Sequence, residues 1–162
     1  MKISVIMPAY NEGKGIVAAV EAVREYCTPI YDTDFEVIVV DDGSTDDTVV
    51  KMQPLLEHNV WLQYLKNETN RGKGFSVRRG MLAAQGEYLL FLDADLSTPI
   101  TELPKLLARC TDQTIAIGSR ALPESVIVRH QARIKEIVAR LGNLLIRLFL
   151  GLPIKDTQCG FK

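Results

Sequence analysis

Two carboxylates, Asp93 and Asp95, stand one residue apart directly after the apolar run from Tyr88 to Leu92. Acids that close repel each other unless a cation lies between them. Oxygen-only ligands suit a hard ion such as Mg²⁺ or Mn²⁺, and such ions usually bind substrate phosphates as well. A second acid pair, Asp41-Asp42, follows the apolar run from Phe35 to Val40 in the same way. The stretch Asn70-Arg71-Gly72-Lys73-Gly74 adds backbone N–H groups that glycine leaves accessible and a positive charge at Lys73, a combination that can receive phosphate. The chemistry on offer is metal-assisted handling of a phosphate-bearing ligand. Each piece has a plainer reading. Taken alone, Asp-x-Asp is better read as an acidic turn capping a helix, and the 70–74 loop is at least as well read as a simple turn. That loop lacks Gly-x-x-x-x-Gly-Lys-Ser/Thr, and no Gly-x-Gly-x-x-Gly follows a strand, which disfavours a P-loop ATPase or a dinucleotide-binding dehydrogenase.

What must position these residues is an alternation of strands and helices. Strands are expected at 3–7, ended by Pro8, and at 35–40, 61–65, 88–92 and 114–117. The run 88–92 reads as buried on both faces. Helices are expected from an Asn11 cap to about Tyr26, from a Ser44/Asp47 capping box onward, from the 70–74 loop to about Ala84, and from Thr98-Pro99. A long amphipathic helix is expected over about 128–150. Its apolar face comprises Ile134, Ile137, Val138, Leu141, Leu144, Leu145 and Leu148, with Arg133, Lys135, Arg140 and Arg147 among them. That face reads equally as a core-packing side or as a surface lying in lipid headgroups. The alternation predicts an α/β fold with a mostly parallel central sheet flanked by helices, and ligands at the carboxyl edge of its strands. Both acid pairs fall on that edge. Four carboxylates facing one crevice would need a cation or ligand, which raises the metal reading above the acidic turn.

The 162 residues suffice for one domain with a sizeable core. A formal net charge of −1 predicts no general affinity for nucleic acid. The charge is unevenly spread: residues 1–119 carry a net −6 and residues 120–162 a net +5, which suggests an anionic partner at the C-terminal end. Three scattered cysteines, Cys27, Cys110 and Cys159, fit reduced thiols in the cytoplasm and argue against a disulfide framework or a zinc site. Lys2 runs straight into a strand-like stretch, so no signal peptide is expected, and no apolar run reaches the roughly 18–20 residues of a membrane span.

Pro8-Ala9-Tyr10-Asn11-Glu12, Val40 to Asp46, Asn70 to Gly74 and Asp93-Ala94-Asp95 occur together in an order and spacing that resemble family 2 glycosyltransferases of the GT-A fold. The resemblance covers almost the whole chain. Asp156 to Lys162 looks like a segment of the dolichyl-phosphate β-glucosyltransferase branch, close to the dolichyl-phosphate mannose synthases.

The resemblance implies a metal-dependent, inverting transfer of a hexose, with glucose from UDP-glucose favoured over mannose from GDP-mannose, to a polyprenyl phosphate. It implies a nucleotide site of Pro8, Tyr10, Glu12, Asp41, Asp42, Asn70, Gly72, Lys73 and Asp93. Asp95 would be the main ligand of Mg²⁺ or Mn²⁺, with Asp93 beside it. Ser97 stands where relatives carry a glutamine ligand. Lys73 would stabilise the leaving diphosphate. Arg120 would take the acceptor phosphate; if the 128–150 helix lies in lipid headgroups, one or more of Arg129, Arg133 and Lys135 would help it, and the protein would sit peripherally at the cytoplasmic face of a membrane. The chain stops at Lys162, inside the last of these stretches, so the resemblance also implies a single GT-A domain, 1–162, truncated at its C-terminus. A nucleotide-sugar-binding domain without catalysis is the alternative.

Overall fold

The computed structural model describes residues 2–122, 125, 151, 156 and 159–162. Strands β1 (Ile3–Ala9), β2 (Phe35–Asp41), β3 (Leu62–Lys66) and β4 (Tyr88–Phe91) form one all-parallel sheet in the order β3-β2-β1-β4. Helix α1 (Ile16–Tyr31) follows β1, α2 (Thr48–His58) follows β2, and α3 (Lys73–Ala83) connects β3 to β4. A 3₁₀ turn, Ile100–Glu102, leads into the short helix α4 (Leu103–Leu107).

The period-2 pattern of β1 serves two cores. Ile3, Val5 and Met7 point to the side where Ile16, Val20, Val23 and Cys27 of α1 and Met52 of α2 pack. Ile6 points to the other side, where it meets Ile38, Val40 and, from α3, Met81 and Ala83. From β1 the chain steps through β2 to β3 in one direction and then returns by α3 to place β4 on the other side of β1. The order therefore reverses between β1 and β4, and the loops leaving these two strands diverge above that point. This is the crevice where open α/β sheets bind ligands.

Several local expectations are corrected. β1 passes through Pro8 to Ala9. Ile6 takes the amide of Leu92 on the β4 side, and Pro8, two residues on, faces the same way where the ladder with β4 has already ended. The missing N–H of Pro8 thus costs no sheet hydrogen bond. α1 begins at Ile16, because Asn11 stands at φ 55° with its Oδ1 turned to the next loop. It runs past Pro29 to Tyr31, and buried Cys27 extends its apolar stripe.

Ser44 and Asp47 form no capping box. The Oγ of Ser44 accepts from Asn11 N at 2.9 Å, and Asp46 Oδ1 accepts from Thr48 N at 3.0 Å. Pro99 precedes a 3₁₀ turn rather than opening an α-helix. β4 is not buried on both faces, since Leu89 is 40% exposed. Residues 114–117 form no strand: among the described residues Thr114 bridges only back to Thr111, and Ile115 is 85% exposed. The expected helix over 128–150 lies outside the described residues.

Candidate active site

An open cavity of about 350 Å³ lies above the β1/β4 switch point, lined by three loops. The end of β1 and its loop supply Pro8, Ala9, Tyr10 and Glu12; the loop before α3 supplies Asn70 and Gly72, and α3 its first residue, Lys73; the β4 loop supplies Asp93, Ala94 and Asp95, and Asp42 closes the floor.

Each loop is held by its own sequence. Asn11 ties the β1 loop to the β2 loop by donating its amide to Ser44 Oγ and accepting from Thr45 N at 2.9 Å. That grip leaves Tyr10 half exposed at the rim. The loop before α3 is anchored on Asp42. Its Oδ1 accepts from Asn67 Nδ2 at 2.7 Å and from Arg71 N at 2.9 Å, and its Oδ2 accepts from Gly72 N at 2.8 Å. Burial alone would push the Asp42 carboxyl up, but hydrogen bonds from Arg71, Asn67, Ser76 and Gly72 together hold it below the ordinary range. Gly72 sits at φ +87°, a left-handed conformation that glycine adopts without strain. With the loop so placed, Lys73 reaches across the crevice. Its Nζ lies 2.6 Å from Asp93 Oδ1 and 5.1 Å from the centre of the Phe91 ring.

In the β4 loop, Asp95 is exposed and its Oδ1 accepts from Ser97 N at 2.9 Å. Glu12 faces the same acids. Burial, then the charges of Asp95, Asp46 and Asp93, push its carboxyl above the ordinary range.

Thus Pro8, Tyr10, Glu12, Asp42, Asn70, Gly72, Lys73, Asp93 and Asp95 converge on one cavity. Asp41 and Ser97 are not among its lining residues. Asp41 is fully buried, with Oδ1 taken by Ser44 N at 2.8 Å and Oδ2 by the Tyr64 hydroxyl at 2.7 Å. It shapes the turn below the site, so three of the four acids reach the crevice rather than all four. The Gly72 amide, expected to be open to phosphate, is already donated to Asp42. Arg120 is no lone surface arginine. Its Nε and Nη2 form a two-pronged ion pair with the buried Asp156 carboxylate, at 2.8 and 3.1 Å. Arg129, Arg133 and Lys135 lie outside the described residues.

Among the described residues no group of three or more His, Cys, Asp or Glu side chains is close enough to cage a metal. The donors present still suit a hard cation. Asp93 and Asp95 are carboxylates at a solvent-open rim, and Mg²⁺ in particular is held by one or two carboxylates plus substrate phosphates rather than by an all-protein cage.

Sequence reading missed two parts of this site. Asn67 and Ser76, both buried, brace Asp42, and only buried-polar logic applied to a known fold would single them out. The segment 159–162 returns beside β4. Phe91 and Lys162 exchange backbone hydrogen bonds at 2.7 and 3.1 Å, and Asp93 N donates to Gly160 O at 3.0 Å. No short-range pattern announces an antiparallel contact between residues nearly 70 positions apart.

Comparison with known proteins gives a consistent picture. The family description "Glycosyl transferase family 2" matches residues 4–162. The dolichyl-phosphate beta-glucosyltransferase of Drosophila melanogaster is 37% identical over 100% of this chain and 54% of its own length. The chain spans about half the length of the dolichyl-phosphate beta-glucosyltransferases it matches. Among solved structures, glucosyl-3-phosphoglycerate synthase from Mycobacterium tuberculosis in complex with UDP is similar with a TM-score of 0.57 and 26% identity, over 99% of this chain and 55% of that one. The mannosyltransferase PcManGT from Pyrobaculum calidifontis, in complex with GDP-Man and Mn²⁺, is similar with a TM-score of 0.53 and 29% identity, over 58% of this chain and 27% of that one. The four-stranded parallel sheet and its helices are those of the GT-A glycosyltransferases.

Proposed function

The chain belongs to glycosyl transferase family 2, and from that premise we propose that it takes part in moving a hexose, glucose from UDP-glucose, onto a polyprenyl phosphate. The observation that carries this reading is the crevice at the β1/β4 switch point, where Tyr10, Lys73, Asp93 and Asp95 face one cavity. Relatives named dolichyl-phosphate beta-glucosyltransferases support the acceptor and the sugar.

In this reading Pro8, Tyr10 and Asn70 receive the base and ribose. The diphosphate lies toward Lys73 and the β4 loop. Asp95 with Asp93 would hold a Mg²⁺ or Mn²⁺, whose chemistry there would be to neutralise charge on the leaving diphosphate. The Lys73 ammonium leaves Asp93 Oδ1 and turns to the phosphate oxygens, where its charge favours departure of the nucleoside diphosphate. The acceptor phosphate monoester is already anionic near neutral pH and attacks the sugar carbon from the opposite face without a general base. Asp156 takes Arg120 Nε and one Nη2 hydrogen, and the remaining guanidinium donors meet the acceptor phosphate. A lipid acceptor also brings the protein to a membrane surface; among the described residues no helix is long and apolar enough to cross one.

The test is competition binding followed by turnover. UDP and UDP-glucose should displace a fluorescent UDP analogue in Mn²⁺ at lower concentration than GDP and GDP-mannose. UDP should then be released from UDP-glucose only when a polyprenyl phosphate is supplied. Tighter binding of GDP would move the donor to GDP-mannose, the sugar nucleotide in the PcManGT complex. Binding without release would leave a nucleotide-sugar-binding domain.

A further inference from the structure

The Asp93 carboxylate is enclosed from two sides. Lys73 Nζ stands 2.6 Å from Oδ1. On the other side lies the backbone of Gly160, so close that a Cβ built there would fall 1.7 Å from Asp93 Oδ2 and 2.1 Å from its Cγ. No side chain fits at 160 while Asp93 keeps this position. Gly160 is not among the glycines with positive φ, so no left-handed conformation demands glycine there. What requires glycine at this position is the Asp93 carboxylate.

The segment carrying Gly160 is firmly placed. Gly160 O accepts from Asp93 N at 3.0 Å, and Lys162 and Phe91 exchange hydrogen bonds. Phe161 is 1% exposed in the core. Gly118 N donates to Phe161 O at 2.8 Å, and a Cβ at Gly118 would meet Cys159 Sγ at 3.1 Å, so the segment is gripped on both flanks. Upstream, Asp156, buried, accepts from Arg120 through N, Nε and Nη2.

We propose that Gly160 is a positioning residue of the donor site: the segment anchored by the Arg120–Asp156 pair brings a side-chain-free backbone against Asp93 and so sets where that carboxylate stands. This rests on the donor-site reading above. Arg120 thereby acts on the donor side through Asp156 and Gly160, besides any contact with acceptor. The carboxylate faces Lys73 and the crevice, and the Gly160 backbone closes its other side.

The experiment measures UDP affinity with and without Mn²⁺, by calorimetry, in the unsubstituted protein, Gly160→Ala and Asp156→Asn, with a melting curve for each. The added methyl meets no left-handed backbone, and the atoms nearest to it all belong to the Asp93 carboxyl group. Gly160→Ala should keep its melting temperature and its metal-free UDP affinity, and lose about tenfold or more of the gain that Mn²⁺ brings, as when the groups orienting a metal ligand are disturbed. Asp156→Asn adds no atom beside Asp93 and should lower the same gain less. A merely structural role would lower melting temperature and both affinities together, and that result overturns the proposal. So does an equal Mn²⁺-dependent gain in all three proteins. Absence of UDP binding by the unsubstituted protein in either condition overturns instead the donor-site reading beneath it.

Discussion

Two aspartates lining one crevice show how position divides the same side chain between a hydrogen-bonded support and a solvent-open rim. Asp42 is 3% exposed, and both its oxygens are committed to Asn67, Arg71 and Gly72. Asp95 is exposed, with one bond to Ser97 N. Asp42→Asn puts an NH₂ against an N–H donor and removes the charge those donors serve. It should cost about 2 kcal/mol of stability, in the range of hydrogen bonds to charged groups, and the released loop should carry Lys73 away from the crevice. Asp95→Asn is a surface change and should leave stability within about 0.5 kcal/mol, while the Mn²⁺-dependent part of UDP binding disappears. Urea titrations and calorimetry on both variants check the pair. Equal Mn²⁺-dependent affinity in Asp95→Asn would remove Asp95 as the ligand.

At the scale of elements, α3 sets where Lys73 stands over the crevice. It begins with Lys73 and packs across β1 and β2 through Ser76 and Gly80. A Cβ at Gly80 would come within 2.4 Å of Ile6 Cγ2 and 3.0 Å of Val40 Cγ2, both on fully buried side chains. Elsewhere in a helix, replacing glycine by alanine gains up to about 1 kcal/mol. Here the intruding methyl must push α3 off the sheet, and overpacking of this kind typically costs 1–3 kcal/mol. Gly80→Ala should therefore be less stable than the unsubstituted protein in urea, with weaker UDP binding because Lys73 moves with the helix. A more stable variant would show that α3 stands further from the sheet than the contacts say.

Across the whole molecule, burial sets an alkaline limit. Burial pushes the Cys27 thiol from its ordinary 9.0 up to about 12. Tyr64 is pushed up by burial and by its bond to Asp41, and Tyr26, Tyr31 and Cys159 move the same way, chiefly through burial. Below the ordinary values both folded and unfolded chains hold these protons, and stability does not depend on them. Above pH 9 the unfolded chain releases the Cys27 proton while the folded chain keeps it, so stability falls as pH rises toward 12. Melting temperature should thus decline through this window, and less steeply in Cys27→Ala even though that variant starts lower. A slope identical in the two proteins would exclude Cys27 as a contributor.

The alternation of apolar runs and amphipathic stretches was enough to define the α/β class and four of the strands, because period-2 and period-3.6 burial are local properties of a chain. The position of Asp93 and Asp95 just past a buried strand was equally legible, since a strand's end follows from where its apolar run stops. Element ends were legible only in part. Asn11, Ser44 and Asp47 have the right side chains for helix caps, but Asn11 and Ser44 hydrogen-bond across two loops instead, and Asp46 takes the cap contact. The 114–117 run had a strand's composition, but among the described residues it finds only the Thr114–Thr111 bridge, and a strand exists only where another chain segment accepts its hydrogen bonds. Which acids reach the crevice was likewise decided in three dimensions. Asp41 and Asp42 are adjacent in sequence, and consecutive residues at a strand end point to opposite sides, so one lines the cavity and the other is buried beneath it. The return of Gly160 to Asp93 depends on a contact between residues far apart along the chain, whose energy is set by the shape left between β4 and Gly118, and that shape is a property of the folded molecule alone.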